Sequence, residues 1–269
     1  METLDWFQVL VLALMQGITE FLPISSSAHL LLPSMLLQWQ DQGLAFDVAV
    51  HFGTLLAVVW LFRREVVEMT CASGRLLTGG PVDDSARMLL FLVVATLPLV
   101  LVGAPMSSVI GIVRTPEIVA VTTVAFGLLL WFADSRFKPA EPATELCWRI
   151  VLVIGFAQVL ALVPGTSRSG ITITAALFMG LSRVAAARFS FMLAMPAIAA
   201  SAVEQTLGLI SSDETIEWAK LSVAAASAAL VAFATMRLLL VWLERAGFLP
   251  FVIYRLLLGG LLAVLLIVQ

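Results

Sequence analysis

Two short polar stretches in an otherwise apolar chain hold the side chains able to do chemistry. The first runs Gln16-Gly17-Ile18-Thr19-Glu20-Phe21-Leu22-Pro23-Ile24-Ser25-Ser26-Ser27-Ala28-His29. The second, Pro164-Gly165-Thr166-Ser167-Arg168-Ser169-Gly170, follows about 141 residues later. Each precedes an apolar segment that reads as a helix. The free N–H groups and positive dipole end of such a helix point back into the break. Serine capping accounts for some of the hydroxyls of Ser25, Ser26, Ser27, Ser167 and Ser169. Five hydroxyls beside Arg168 exceed capping needs and match an anion site of helix N-termini plus an arginine. The chemistry indicated is phosphate handling.

Glu20 stands out, because a carboxylate within a membrane helix costs about 3 kcal/mol or more. It reads as a metal ligand or general base, against the plainer reading of an ion pair with Arg168. Gln16 lies four residues earlier and shares its helix face. An oxygen pair of this kind with a phosphate oxygen suits Mg²⁺ or Ca²⁺. His29 follows Ser26 by three residues and reads as a proton shuttle, a phosphate donor or a satisfied core histidine. His51 has no polar sequence neighbours and reads as structural. Arg255, an arginine in the last apolar segment, reads as a binder of lipid phosphate or as a snorkelling side chain.

The elements that must position these residues lie in a membrane. Of 269 residues, 61% are hydrophobic and 12% charged, with mean hydropathy +1.05. A soluble domain carries about twice that charged fraction. No basic cluster points to nucleic acid. The acidic start, with Glu2 and Asp5, argues against a cleaved signal. Cys71 and Cys147 fall in expected loops and indicate no disulfide framework. Candidate spans are Leu44–Phe62, Arg87–Ala104, Pro116–Asp134, Arg188–Ile210, Trp218–Leu240 and Leu249–Val268, with polar loops at Arg63–Ser85 and Ser135–Arg149. Ala28–Trp39 is too short to cross roughly 30 Å of hydrocarbon. It pairs with Leu4–Leu22 as a re-entrant hairpin broken at Pro23–Ser27. Leu146–Val163 and Gly170–Leu181 repeat that plan.

Lysine and arginine set the orientation. Arg63, Arg64, Arg75, Arg87, Arg136, Lys138, Arg149, Arg183, Arg188, Arg237 and Arg245 fall on one side, which is then cytoplasmic. Arg114, Lys220 and the acidic turn Asp213–Glu217 fall opposite, with the N-terminus. Pro23 set on Pro164 places Ser25 on Thr166, Ser26 on Ser167 and Ser27 on Arg168. Gln16 and Gln158 then fall within one residue of each other, and Phe46–Ala57 resembles Phe189–Ala200. The expected fold is an all-α polytopic membrane protein of six transmembrane helices plus two re-entrant helical hairpins in inverted-topology repeats. It forms a single membrane domain over 1–269, with repeats at about 1–134 and 145–269. Inverted repeats with broken helices place a polar site near the midplane.

At these residues the chain resembles the undecaprenyl-pyrophosphate phosphatase family linked to bacitracin resistance. The motifs are Glu/Gln-x-x-x-Glu leading to Pro-x-Ser-Ser-x-x-His, read at Gln16 to His29, and Pro-Gly-x-Ser-Arg-Ser-Gly-x-Thr, read at Pro164 to Thr172. The likeness extends to Phe248-Leu249-Pro250-Phe251 and Tyr254-Arg255. It implies a multi-pass bacterial inner-membrane enzyme, often dimeric, with a divalent cation and an active site open to the periplasm. It implies hydrolysis of undecaprenyl pyrophosphate, which recycles the lipid carrier for cell-wall polymers. Glu20, Ser26, His29, Ser167, Arg168, Ser169 and Thr172 carry the family's site positions, and Gln16 takes the variable Glu/Gln place. Ser25, Ser27, Gly165 and Arg255 complete the expected substrate contacts, with Glu20 and Gln16 on the metal. The expected chemistry is attack of Ser26 on the terminal phosphorus or direct attack by water. The rival class is a polyprenyl-phosphate flippase using the same anion site.

Overall fold

The computed structural model describes residues 4–39, 42–112, 115–136, 145–210 and 217–268. Arg114, Lys138, Pro139, Pro142 and residues 213–216 of the acidic turn lie outside them. Among the described residues the regular elements are all helices, and six of them are long and apolar enough to cross a membrane. These are α3 (Leu44–Leu61), α5 (Asp84–Ile112), α6 (Pro116–Arg136), α9 (Arg183–Ile210), α10 (Trp218–Leu243) and α11 (Leu249–Val268). The protein is a multi-pass membrane protein.

Four shorter helices form the two broken elements. They are α1 (Trp6–Thr19), α2 (Ser26–Leu37), α7 (Trp148–Gln158) and α8 (Arg168–Phe178), with a single 3-10 turn at Val159–Leu162 after α7. None of the four reaches the roughly 20 residues that a bilayer requires. Helix α1 starts from Asp5, whose side chain accepts the Gln8 N–H at 2.7 Å while Gln8 accepts the Asp5 N–H at 3.0 Å. This reciprocal cap satisfies two otherwise free donors. The chain then turns back, so that Phe7 near the start of α1 stacks edge-on against Trp39 just beyond α2. The second broken element returns in the same way. Trp148 at its start meets Phe91 of α5, and Phe178 at its end meets Phe132 of α6.

One helix differs from expectation. Arg63–Ser85, read as a loop, contains α4 (Arg63–Leu77). Val66, Met69 and Ala72 recur every three residues, and Met69 and Ala72 are buried while polar residues face outward. That is an amphipathic helix, not a Gly-rich connection. Cys71 therefore lies on a helix, and both cysteines are exposed and free. Arg188 of α9 donates to Glu65 of α4 at 2.7 Å, and Arg183 donates to Asp134 of α6 at 2.6 Å. The Phe248 N–H donates to the same Asp134. These contacts gather the ends rich in arginine at one side of the bundle.

Long apolar helices gain little from burial against one another in lipid, so close backbone approach and small side chains hold them together. Ala224, Ala228 and Ala232 form a buried stripe on α10. A Cβ on Gly53 of α3 would lie 2.2 Å from the Ala225 carbonyl oxygen, so only glycine allows α3 and α10 to approach this closely.

Candidate active site

The two breaks are built alike. Ser25 and Ser167 each take a left-handed backbone with φ 71°. Such a conformation is unusual for a side chain other than glycine. Each caps the helix that follows: Ser25 Oγ accepts from the Ala28 N–H at 3.4 Å, and Ser167 Oγ accepts from the Gly170 N–H at 3.1 Å. Each hydroxyl also pairs with the serine two residues on, Ser25 with Ser27 at 3.1 Å and Ser167 with Ser169 at 3.2 Å. Ser25 is therefore the counterpart of Ser167. Matching the two caps sets Ser25 on Ser167, one residue from the register that sets Pro23 on Pro164. That spacing also puts Gln16 directly on Gln158.

The tips clasp each other. The Gly165 N–H donates to Ser27 Oγ at 3.0 Å, and Ser169 Oγ donates to the Leu22 carbonyl at 2.9 Å. Gly165 has φ +87°, and a Cβ there would lie 2.1 Å from Thr122 Oγ1. Thr122 in turn donates to the Pro164 carbonyl at 2.6 Å. Arg255 crosses beneath both tips. Its guanidinium is fully buried and donates to the carbonyls of Thr123, Gly165 and Thr166 at 2.9 to 3.1 Å, with longer contacts to Pro23 and Thr122. The expectation that Arg255 holds lipid phosphate or snorkels is corrected. It neither reaches water nor lines the cavity, and backbone carbonyls occupy its donors.

The clasp brings Glu20 and Arg168 together. Arg168 Nη2 donates to Glu20 Oε1 at 2.9 Å, with both side chains largely buried. Arg168 Nη1 is buried without a partner. Glu20 Oε2 accepts from Ser26 Oγ at 3.3 Å and from Gln16 Nε2 at 3.0 Å. A cavity of about 310 Å³ opens here. Its polar lining is Glu20, Ser26, Ser27, Ser167, Arg168 and His51 together with Ser201 and Gln205 of α9, and its apolar wall includes Leu99, Leu162, Val163 and Ile198.

Other expected site residues stand beside this cavity. His29 donates from Nδ1 to the Ser25 carbonyl at 2.7 Å, and Nε2 of the neutral ring accepts from Tyr254 Oη at 2.7 Å. Thr172 donates to the Arg168 carbonyl and pairs with Ser190 at 2.7 Å. Ser25, Ser169, Gly165 and Thr172 shape the tips, and none of them, nor His29, is among the cavity-lining side chains.

His51, read from the sequence as structural, stands at the cavity. It lines the cavity, accepts from Gln16 Nε2 at 3.2 Å and lies 3.9 Å from Glu20 Oε2. No neighbour in sequence signals this, since the partners lie 35 and 31 positions away, on α1 and at its C-terminal cap. The one available signal was an imidazole inside an apolar span.

Among the described residues no three His, Cys, Asp or Glu side chains cluster to cage a metal. Gln16 is fully buried and its Oε1 has no hydrogen-bond partner, beside the Glu20 carboxylate. One carboxylate, one amide oxygen and a serine hydroxyl form an incomplete hard-donor set. It fits a divalent cation that also takes phosphate oxygens and waters.

The sequence profile of the family described as bacitracin resistance protein BacA matches residues 9–261. The chain belongs to the bacitracin resistance protein BacA family. The chain is 50% identical over 262 residues to the undecaprenyl-diphosphatase of Chromohalobacter salexigens, covering 97% of this chain and 99% of the relative. It is 48% identical to the undecaprenyl-diphosphatase of Alteromonas mediterranea, covering 95% and 97% of the two chains. It is 46% identical to undecaprenyl-diphosphatase 1 of Pseudoalteromonas translucida, covering 94% and 95%.

Proposed function

We propose that the protein hydrolyses undecaprenyl pyrophosphate to undecaprenyl phosphate and phosphate. The observation that carries this reading is the Ser26 hydroxyl donating to Glu20, whose other oxygen is held by Arg168, at one cavity. The names of the relatives point to the same reaction. A flippase would need the anion-holding groups but not a hydroxyl aimed at a carboxylate.

The terminal phosphate sits against Arg168 Nη1, the donor without a partner, and the N-terminal N–H groups of α2 and α8. Ser26 Oγ attacks the terminal phosphorus while Glu20 Oε2 takes its proton. The anhydride P–O bond breaks, and undecaprenyl phosphate leaves with the bond's electron pair. Glu20 releases that proton to solvent. Water, losing a proton to Glu20, then attacks the phosphorus, the bond from phosphorus to Ser26 Oγ breaks, and Glu20 returns the proton to Ser26 Oγ as phosphate leaves. Arg168 and the helix ends stabilise charge that develops on the phosphoryl oxygens, the main contribution in such transfers. Glu20 and Gln16 would hold a divalent cation, Mg²⁺ or Ca²⁺, and when bound it supplies neutralising charge to the diphosphate. Leu99, Leu162, Val163 and Ile198 offer an apolar wall to the first isoprene units.

This reading includes the bacterial plasma membrane, a homodimer, two re-entrant hairpins and inverted repeats. The matched caps at Ser25 and Ser167 support the repeats. It also opens the cavity to the periplasm. Ser201 and Gln205 lie late in α9, far from the arginine-rich end marked by Arg183 and Arg188, which the charge rule makes cytoplasmic.

The test is phosphate release from undecaprenyl pyrophosphate in detergent, with and without added cation. Wild type releases phosphate, and Glu20→Ala and Arg168→Ala fall by about 10² or more. No release by wild type overturns the function. Ser26→Ala with most of its turnover intact removes the phosphoserine route.

A further inference from the structure

His51 faces the reaction site with a lone pair. Its Nδ1–H donates to the Asp47 carbonyl at 2.8 Å, which leaves Nε2 unprotonated in the neutral ring. Fixing one ring nitrogen on a carbonyl is how proteins orient a metal-binding imidazole. Nε2 points at Gln16 and Glu20, and the side chain is 27% exposed to the cavity. This backbone anchor serves orientation. It does nothing to hold α3 to α1.

The amide of Gln16 stands between two acceptors. The atom placed as Nε2 lies 3.0 Å from Glu20 Oε2 and 3.2 Å from His51 Nε2, and those two lie 3.9 Å apart. Amide nitrogen and oxygen are interchangeable by rotation about one bond. Turned over, the amide brings its buried oxygen, now without a partner, into the same position. Three lone-pair donors then face one point. A point equidistant from three atoms at these separations lies about 2.0 Å from each, the distance at which small divalent cations bind nitrogen and oxygen. A larger ion such as Ca²⁺, at about 2.3–2.6 Å, meets the same three atoms from just above their plane.

We infer that His51 Nε2 is the nitrogen ligand of a divalent cation shared with Glu20 Oε2, Gln16 Oε1 and the diphosphate. The inference rests on reading the cavity as a diphosphate site. An imidazole donor favours first-row metals over Mg²⁺. The remaining positions go to phosphate oxygens and water.

The chain has two histidines, so imidazole nitrogen on a bound metal can be assigned. The experiment is pulsed electron paramagnetic resonance of Mn²⁺ added to the detergent-purified full chain, alone and with methylenebisphosphonate. A nitrogen hyperfine coupling is expected in wild type. It changes in the ratio of the nitrogen nuclear moments when only histidine is labelled with ¹⁵N, a control that needs no variant. In His51→Gln the coupling disappears and Mn²⁺ affinity falls about tenfold or more. In His29→Gln the coupling persists. Bound Mn²⁺ without histidine coupling, no bound Mn²⁺ under either condition, or coupling that survives in His51→Gln each overturns the inference. Phosphate release measured on the same wild-type sample reports separately on the proposed reaction.

Discussion

Glu20 and Arg168, 148 residues apart in the chain, meet at 2.9 Å where the two breaks touch. The pair does two things at once. It locks the tips at the register needed for Ser26 to reach Glu20 Oε2, and it leaves Arg168 Nη1 free of protein partners. Removing one member strands the other charge in a largely buried place, which costs about 3–5 kcal/mol. Glu20→Ala and Arg168→Ala are therefore expected to lower the thermal midpoint in detergent as well as activity. The double variant loses less stability than the two singles together, because neither charge is then left alone. Additive losses would show that the pair contributes nothing as a pair.

The serines divide by position. Ser26 Oγ donates to Glu20, whereas Ser25 Oγ caps α2 and Ser27 Oγ accepts from Gly165. Ser26→Ala is expected to lose turnover by at least about 10³ at nearly unchanged stability, the loss expected for a nucleophile with its base. Ser25→Ala loses about 1 kcal/mol of stability, a cap's contribution, and retains part of its activity. A steady-state rate beside a thermal melt for each variant separates the two classes. Equal behaviour of Ser25→Ala and Ser26→Ala in both would contradict the assignment.

Gly165 combines a left-handed backbone with no room for a methyl group. The backbone alone costs an alanine about 1–2 kcal/mol, and the overlap with Thr122 Oγ1 displaces the second tip from Ser27. Gly165→Ala is expected to be inactive and to aggregate at lower temperature. Gly165→Ala with Thr122→Ala recovers little of the stability, since the Val119 carbonyl oxygen and Cα, 2.6 and 2.9 Å from the added Cβ, still overlap it and the backbone strain remains. Differential scanning fluorimetry in detergent reads both.

Much of this site was legible because polarity inside lipid is expensive. Glu20, Ser26 and Arg168 stand out by type alone, and the short segments after each break mark the tips. What was not legible depends on partners distant in sequence. Arg255 donates to carbonyls, which every residue carries and no motif displays. His51 meets Gln16 only through the packing of α1 beside α3. Helix α4 was missed because arginine and glycine suggest a loop, while its buried face is narrow. The positive-φ serine caps that the two breaks share are likewise a backbone feature that serine and proline spacing does not display.

Arg255 provides a sharp contrast between a structural arginine and a ligand-binding one. Its donors satisfy carbonyls from α6 and from both breaks, including Pro23 and Thr166. Lysine keeps the charge but has three donors on a single nitrogen and cannot span these acceptors. Arg255→Lys is expected to lose about 2–4 kcal/mol of stability, as buried carbonyls go unsatisfied. In the protein that remains folded, KM for the lipid is little changed. A raised KM with an unchanged melt would instead return Arg255 to the substrate.

His29 and Tyr254 supply the final discriminating case. His29 Nε2 and Tyr254 Oη lie 2.7 Å apart, with the two rings within 5° of parallel, and Nδ1 is committed to the Ser25 carbonyl. Nε2 thus joins α2 to α11, and Nδ1 is engaged with the Ser25 turn. A ring so placed positions the Ser26 loop and has no free nitrogen for the phosphate. Tyr254→Phe removes the hydrogen bond and keeps the ring, so a loss of about 1 kcal/mol is expected. It also gives a moderate fall in kcat, a few-fold, with the pH–rate profile retained. His29→Gln falls further, because the contact to Ser25 is weakened as well, yet the shape of its profile is again that of wild type. Loss of one limb of the profile in His29→Gln alone would make His29 a proton carrier and the contact with Tyr254 a resting state.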